Sequence, residues 1–241
     1  LKKEDAVFVV KPNGFVNNYY NWDEGDYHYF KYQPIKWRVL SVSEGKALLL
    51  TDMILDCQSY NIVVDVMTWE ECTLRTFLNK TFYKAAFTTE QRAAIVSTKL
   101  KNEGNTYEVY GVSCEAKGGN DTKDKVFLLS LNDVMEETGV PYGFVPEQEY
   151  EDDEAKCAKT TAYAKAMGCV TESETYGTDS YVGNGSYWLR SPGNGSYLAS
   201  DIGVYGWVYE GGKKLEEGSG VRPARQVKLS ATGLTYAGTV C

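Results

Sequence analysis

Apolar and polar residues alternate along Ile35-Lys36-Trp37-Arg38-Val39-Leu40-Ser41-Val42, and a second apolar run, Ala47-Leu48-Leu49-Leu50-Thr51, follows Ser43-Glu44-Gly45-Lys46. Period-two patterning on both sides of a Glu-Gly turn predicts a β-hairpin. Val7-Phe8-Val9-Val10 predicts another strand upstream. The period then changes: Leu74, Phe77, Leu78 and Phe82 recur at helical spacing behind Thr68, with Glu71 at capping-box distance, and predict an amphipathic helix. Thr88 and Gln91 repeat the device before Ala93-Ala94-Ile95-Val96, predicting a second, shorter helix.

Residues 99–125 are polar and rich in Gly and Asn, which predicts a strand running into an exposed loop. Val126-Phe127-Leu128-Leu129-Ser130 reads as a central strand, with Ser130 or Asn132 capping a helix that Gly139 ends. A further helix is expected over residues 155–167. The acidic run at 147–154 just before it reads as solvated charge favourable to that helix's N-terminus. Strands at 187–190, 202–209 and 221–229 close the chain between Gly- and Asn-rich turns. This order of elements predicts an α+β fold, an antiparallel sheet with flanking helices and long loops, in a single domain over residues 1–241.

Composition narrows the function classes. A formal charge of −8 without a Lys/Arg block removes the electrostatic term on which nucleic-acid binding depends. No apolar run is long enough for direct membrane insertion. The opening Leu1-Lys2-Lys3-Glu4 reads as a trimmed N-terminus on a soluble chain. Six cysteines (Cys57, Cys72, Cys114, Cys157, Cys169 and Cys241) contain no C-x-x-C pair, which disfavours a zinc site. A helix between Cys157 and Cys169 would hold those two too far apart to bridge, whereas Cys57 and Cys72 can meet across a strand-to-helix connection.

Catalytic constellations are sparse. His28, in Asp26-Tyr27-His28-Tyr29, is the only histidine through which a Ser-His-Asp or Cys-His mechanism could run. No G-x-S-x-G elbow is present, and no carboxylate pair stands out, so no catalytic residue and no metal ligand is assigned. The acidic run lacks the spaced Asp/Asn/Gly pattern of an EF-hand loop, leaving calcium as the only cofactor with any candidate ligands.

Arg190 and Arg222 each stand beside a proline and apolar residues, and Arg75 sits in the helical Leu-Arg-x-Phe-Leu-Asn segment. All three, with Trp188, are expected to be structural, the two former arginines bonding backbone carbonyls or an acid such as Asp56 or Asp201. Trp37, Trp69 and Trp188 are expected in the core. Trp22, Tyr205, Trp207 and Tyr209, with Asn184 and Asn194 in the repeated Gly-Asn-Gly-Ser-Tyr turns, form the candidate ligand surface. Tyrosine and tryptophan combine apolar area with a polar edge, the property a glycan- or protein-binding face requires.

Taken in order, Lys36-Trp37-Arg38-Val39-Leu40, Ile54-Leu55-Asp56-Cys57, Trp69, Leu74-Arg75-x-Phe77-Leu78-Asn79, Ala86-Phe87, Val126-Phe127-Leu128-Leu129-Ser130, Thr161-Ala162-Tyr163-Ala164, Trp188-Leu189-Arg190-Ser191-Pro192-Gly193 and Gly220-Val221-Arg222-Pro223-Ala224 resemble a large uncharacterised bacterial domain family over residues 35–229. The family is abundant in Gram-positive gut anaerobes, often in secreted or surface proteins. Its closing strands look like those of C-type-lectin-like domains and of formylglycine-generating-enzyme relatives. The reactive cysteine pair of the latter is not matched here. The resemblance implies a C-type-lectin-like fold, an extracellular or cell-surface location, and a non-enzymatic binding or adhesion module recognising glycan or protein. The competing expectations are a hydrolytic enzyme on a cell-wall or host polymer and a structural domain of a larger surface protein.

Overall fold

A computed structural model of the chain describes residues 6–9, 28–31, 33–63, 65–135, 142–145, 152–173 and 180–231. Strand β1 (Ala6–Val9) pairs antiparallel with β2 (His28–Lys31). The expected hairpin follows as β3 (Trp37–Ser43) and β4 (Lys46–Thr51). Glu44 and Gly45 both take positive φ, 50° and 69°, the primed turn whose twist matches paired strands. Every residue of β4 from Ala47 to Thr51 is buried because the strand has neighbours on both edges and both faces covered. Strand β5 (Asp56–Ser59) joins the other large sheet.

The first helix begins later than Thr68. Cys72 caps α1 (Thr73–Phe77), its sulfur accepting from the Arg75 N–H, and the Asn61 side-chain oxygen accepts from the Thr73 N–H. Residues 68–72 form a turn that buries Trp69, whose indole N–H donates to Asp124 at 3.0 Å. The helix runs on through a π-helical turn (Leu78–Phe82) into α2 (Tyr83–Ala86). Helix α3 (Thr89–Ala94) carries the reciprocal Thr88/Gln91 capping box read from the sequence.

The region expected as strand and loop is more ordered. β6 (Thr98–Leu100) pairs with β9 (Thr122–Asp124), and between them β7 (Asn105–Val109) and β8 (Val112–Ala116) form a hairpin turning at Tyr110 and Gly111, φ 50° and 76°. Most of that hairpin is exposed, so no apolar alternation announces it. The expected strand at 126–130 is instead a buried segment without a ladder. Asn79 takes its first backbone groups, Ala224 pairs with Phe127, and Arg190 takes the carbonyls of Leu128 and Leu129. Ser130 caps α4 (Leu131–Met135) through a reciprocal pair of bonds with Asp133; Gly139 lies outside the described residues.

The long helix expected at 155–167 is reduced to α5 (Ala162–Ala166), capped by Thr161. Upstream, Asp153 is 4 % exposed and accepts from the Val145 and Ala155 N–H groups and pairs with the equally buried Lys156 at 2.9 Å. Asp153 is therefore a structural anion rather than solvated helix charge, while 147–151 lie outside the described residues.

The closing strands are β10 (Tyr187–Gly193), β11 (Gly195–Ile202), β12 (Val208–Lys214), β13 (Gly218–Val221) and β14 (Ala224–Lys228). They build a five-stranded sheet in the order β12-β11-β10-β13-β5, parallel only between β10 and β13, and a three-stranded antiparallel sheet β14-β4-β3. Two expected strands are each split. A turn at Gly203 to Gly206 separates Ile202 from Val208. The strand expected at 221–229 breaks at Arg222-Pro223, where the chain leaves the five-stranded sheet for the three-stranded one; the Pro223 carbonyl accepts from Thr51 N–H at 3.0 Å. The architecture is α+β, mostly antiparallel sheets with few short helices.

One core joins the two large sheets and the helices. Tyr60 packs its ring against Trp69 and Trp188, and both tryptophans are 1 % exposed. Trp37 is half-buried and packs at the margin of this core.

Candidate functional site

The arginines of the two Pro-containing motifs are absorbed by the fold. Arg222 is 1 % exposed and donates to the carbonyls of Thr51 and Lys156 and to the Tyr187 hydroxyl, at 2.8 to 3.0 Å. Its guanidinium also lies 5.1 Å from the Tyr187 ring centre. Arg190 donates to the Leu128 carbonyl and pairs with Asp133 at 2.6 Å. The acid is Asp133, not the expected Asp56 or Asp201. Asp56 accepts instead from its neighbours Cys57 and Gln58, and Asp201 lies 2.8 Å from Lys213. Arg75 pairs with buried Asp124 at 2.8 Å and donates to the Glu70 carbonyl. Trp188 donates its indole N–H to the Gln58 carbonyl, tying β10 towards β5.

Three of the candidate ligand residues fall at the end of the sheet where β11 turns into β12. Tyr205, Trp207 and Tyr209 are half-buried, and Tyr181 joins them from the preceding loop. Ring centres are 5.1 Å apart for Tyr181 and Tyr205, 5.3 Å for Tyr205 and Trp207, and 6.4 Å for Trp207 and Tyr209. The result is a continuous aromatic row. Gly206, with φ 84°, makes it possible: a Cβ there would stand 2.1 Å from the Asp153 carbonyl oxygen, so the turn packs directly on the backbone of the buried Asp153 turn.

Carboxylates run beside the row. Exposed Asp152 accepts from the Trp207 indole at 2.7 Å and from the Tyr181 hydroxyl at 3.2 Å. Burial and the Asp152 carboxylate push the Tyr181 phenol up; the Glu172 carboxylate does the same for Tyr205, and burial for Tyr209. All three phenols therefore stay protonated at neutral pH and act as hydrogen-bond donors.

The two Asn-Gly turns are not equivalent. Asn184 is 4 % exposed and donates to the Val204 carbonyl at 3.1 Å, so it braces the Tyr205 loop from beneath rather than facing solvent. Asn194 is exposed in the β10–β11 turn, where its side-chain oxygen accepts from Asn105. It belongs to the β7–β8 end of the molecule and not to the row. Trp22 lies outside the described residues. Tyr181, Asp152 and Glu172 were not singled out from sequence; Tyr181 stands two residues before the first Gly-Asn turn, and that spacing was the available signal.

A cleft of about 410 Å³ adjoins the row, with Arg38, Asp52, Lys159, Cys157 and Tyr181 on its walls. Burial and the nearby Asp153 push the Cys157 thiol up to about 11, so it is not poised as a nucleophile. Cys57, Cys72, Cys114, Cys157 and Cys169 are all free thiols, and Cys57 has Cys169, not Cys72, for its sulfur neighbour. The expected helical separation of Cys157 and Cys169 does not exist, because α5 spans only part of that interval. Among the described residues no cluster of three or more His, Cys, Asp or Glu side chains is arranged to hold a metal ion, and no helix is long and apolar enough to cross a membrane.

The fold and row define an α+β domain that presents aromatic and acidic side chains at one end of an antiparallel sheet. The family described as a domain of unknown function, DUF6273, matches residues 44–229, more than three quarters of the 241-residue chain, and the chain belongs to that family. The match opens within the β3–β4 turn rather than at residue 35 and ends at Leu229. No curated protein and no solved structure matches the chain.

Proposed function

We propose that this domain is a non-enzymatic binding module of a cell-surface or secreted protein, built on a C-type-lectin-like scaffold and recognising glycan through the Tyr181-Tyr205-Trp207-Tyr209 row. One observation carries the reading: four half-buried rings lie in sequence along one end of the sheet, with Asp152 and Glu172 beside them. Sugar rings offer C–H faces that stack on aromatic rings and hydroxyls that donate to carboxylates, so the two features are complementary to one ligand class. The closing-strand motifs and the loops gathered at the sheet end support the lectin-like scaffold, since function in such folds resides on loops held by a rigid sheet.

The test is a glycan and peptide array probed with the purified chain, once with calcium and once with chelator. Signal on glycans that survives chelator is the expected outcome, because Asp152 and Asp153 already have protein partners. Silence on both arrays under both conditions would remove the binding proposal. Signal confined to peptides would replace the glycan with a protein ligand.

A further inference from the structure

Arg225, on β14, is the arginine whose side chain has no polar partner among the described residues. It is 9 % exposed, yet no hydrogen bond or ion pair reaches its side chain among the described residues, and its Nε is sealed without a partner. Its guanidinium carbon lies 4.1 Å from the centre of the Trp37 ring and 4.4 Å from that of Phe87. Those two ring centres are 6.0 Å apart. The three distances make a near-right angle at the guanidinium, so the rings wall two sides of it, and one further side opens on a cleft.

A buried cation without a counter-charge is costly, because the water it has lost is replaced by nothing of opposite sign. Loss of solvation alone draws the Arg225 pKa down to about 10. The open side faces a cleft of about 530 Å³, a volume suited to a small molecule. Gln33, Thr88 and Gln91 bring neutral polar groups to it, and Arg225 is the only ionisable side chain among the described residues that line it. This cleft shares no lining residue with the one beside the aromatic row.

One planar, singly charged donor fork between two aromatic walls is matched to a monoanion with two in-plane acceptors. A phosphate dianion would call for a second cation. We propose that this cleft is a second ligand site, which takes a carboxylate carried on a ring-sized, partly apolar body: Arg225 anchors the carboxylate, and Trp37 and Phe87 pack against the body. The site is independent of the glycan reading of the aromatic row.

The test uses the full 241-residue chain and two acid probes, benzoate and glucuronate, each beside its neutral counterpart, benzamide and glucose. The resonances of the Arg225 Nε–Hε group and the Trp37 indole are followed by nuclear magnetic resonance. At least one acid is expected to shift both resonances saturably at millimolar concentration, with the neutral counterparts silent; which acid acts distinguishes an aryl from a sugar body. Arg225→Gln should weaken that binding at least tenfold. Gln91→Glu guards against an unfolded Arg225 variant. It keeps the capping-box geometry with Thr88 and introduces a carboxylate at the cleft, so it too should weaken binding tenfold or more. The proposal fails if neither acid shifts the two resonances, if the neutral probes shift them equally, or if Gln91→Glu binds like the unaltered chain.

Discussion

The closing clasp and the aromatic row are built from the same last stretch of chain, yet they dispose of their polar groups in opposite directions. In the clasp, Arg222 and Arg190 turn inward and spend their donors on backbone carbonyls, on Tyr187 and on Asp133. In the row, the rings of Tyr205, Trp207 and Tyr209 stay half-exposed, and Trp207 directs its polar edge to exposed Asp152. The clasp joins two sheets across Pro223; the row adds little to that junction. A side chain that closes the fold is expected to be dear to stability and irrelevant to ligand, and the reverse should hold for the row.

The largest effect belongs to Arg222. Arg222→Ala removes a buried cation and leaves the Lys156 and Thr51 carbonyls and the Tyr187 hydroxyl each short of a partner. A loss of about 3–4 kcal/mol in denaturant unfolding is expected. Gly206→Ala probes the join between the regions. Its positive φ and the 2.1 Å approach to the Asp153 carbonyl should cost about 2–3 kcal/mol and displace the row with it.

Asp56 gives a pH-dependent test on the clasp side. Burial raises its carboxyl from 3.8 to about 6 against the bonds from Cys57 and Gln58. The folded chain thus holds this proton more tightly than the unfolded one. This group's contribution to stability is greatest below about pH 4 and declines as the pH rises through 6. Asp56→Asn should therefore stabilise the chain by about 1–2 kcal/mol at pH 7.5, allowing for imperfect replacement of its two bonds, with no gain at pH 4. Thermal melts of both proteins across that range check the sign. The smallest stability effect is expected from Trp207→Ala, about 1 kcal/mol or less, since its ring is half-exposed and its indole bond is to a surface carboxylate.

What the sequence disclosed follows from where physical constraints are local. The Glu44-Gly45 hairpin and the Thr88/Gln91 box are set by neighbouring residues, and both stand where they were read. The segment at 126–130 looked like a strand because it is apolar throughout, but Asn79 and Arg190, remote in sequence, take backbone groups that a ladder would have used. The helix expected at 155–167 shortened for a similar reason: a buried Asp153–Lys156 pair holds a turn where the local pattern favoured helix. In the site, the aromatic cluster at Tyr205, Trp207 and Tyr209 was legible from composition. That Asn184 points inward to Val204 and that Asn194 sits elsewhere was not, because identical turn sequences carry no information on which side of a sheet they land. Arg225 escaped notice because an unpartnered arginine and a paired one are spelled alike.

The most direct test of the division between clasp and row is the glycan array repeated with a Tyr205→Ala/Trp207→Ala double variant beside the unaltered chain. The double variant should melt close to the unaltered chain and lose its glycan signal by at least tenfold. A folded double variant that binds the same glycans undiminished would contradict the assignment of ligand recognition to the aromatic row.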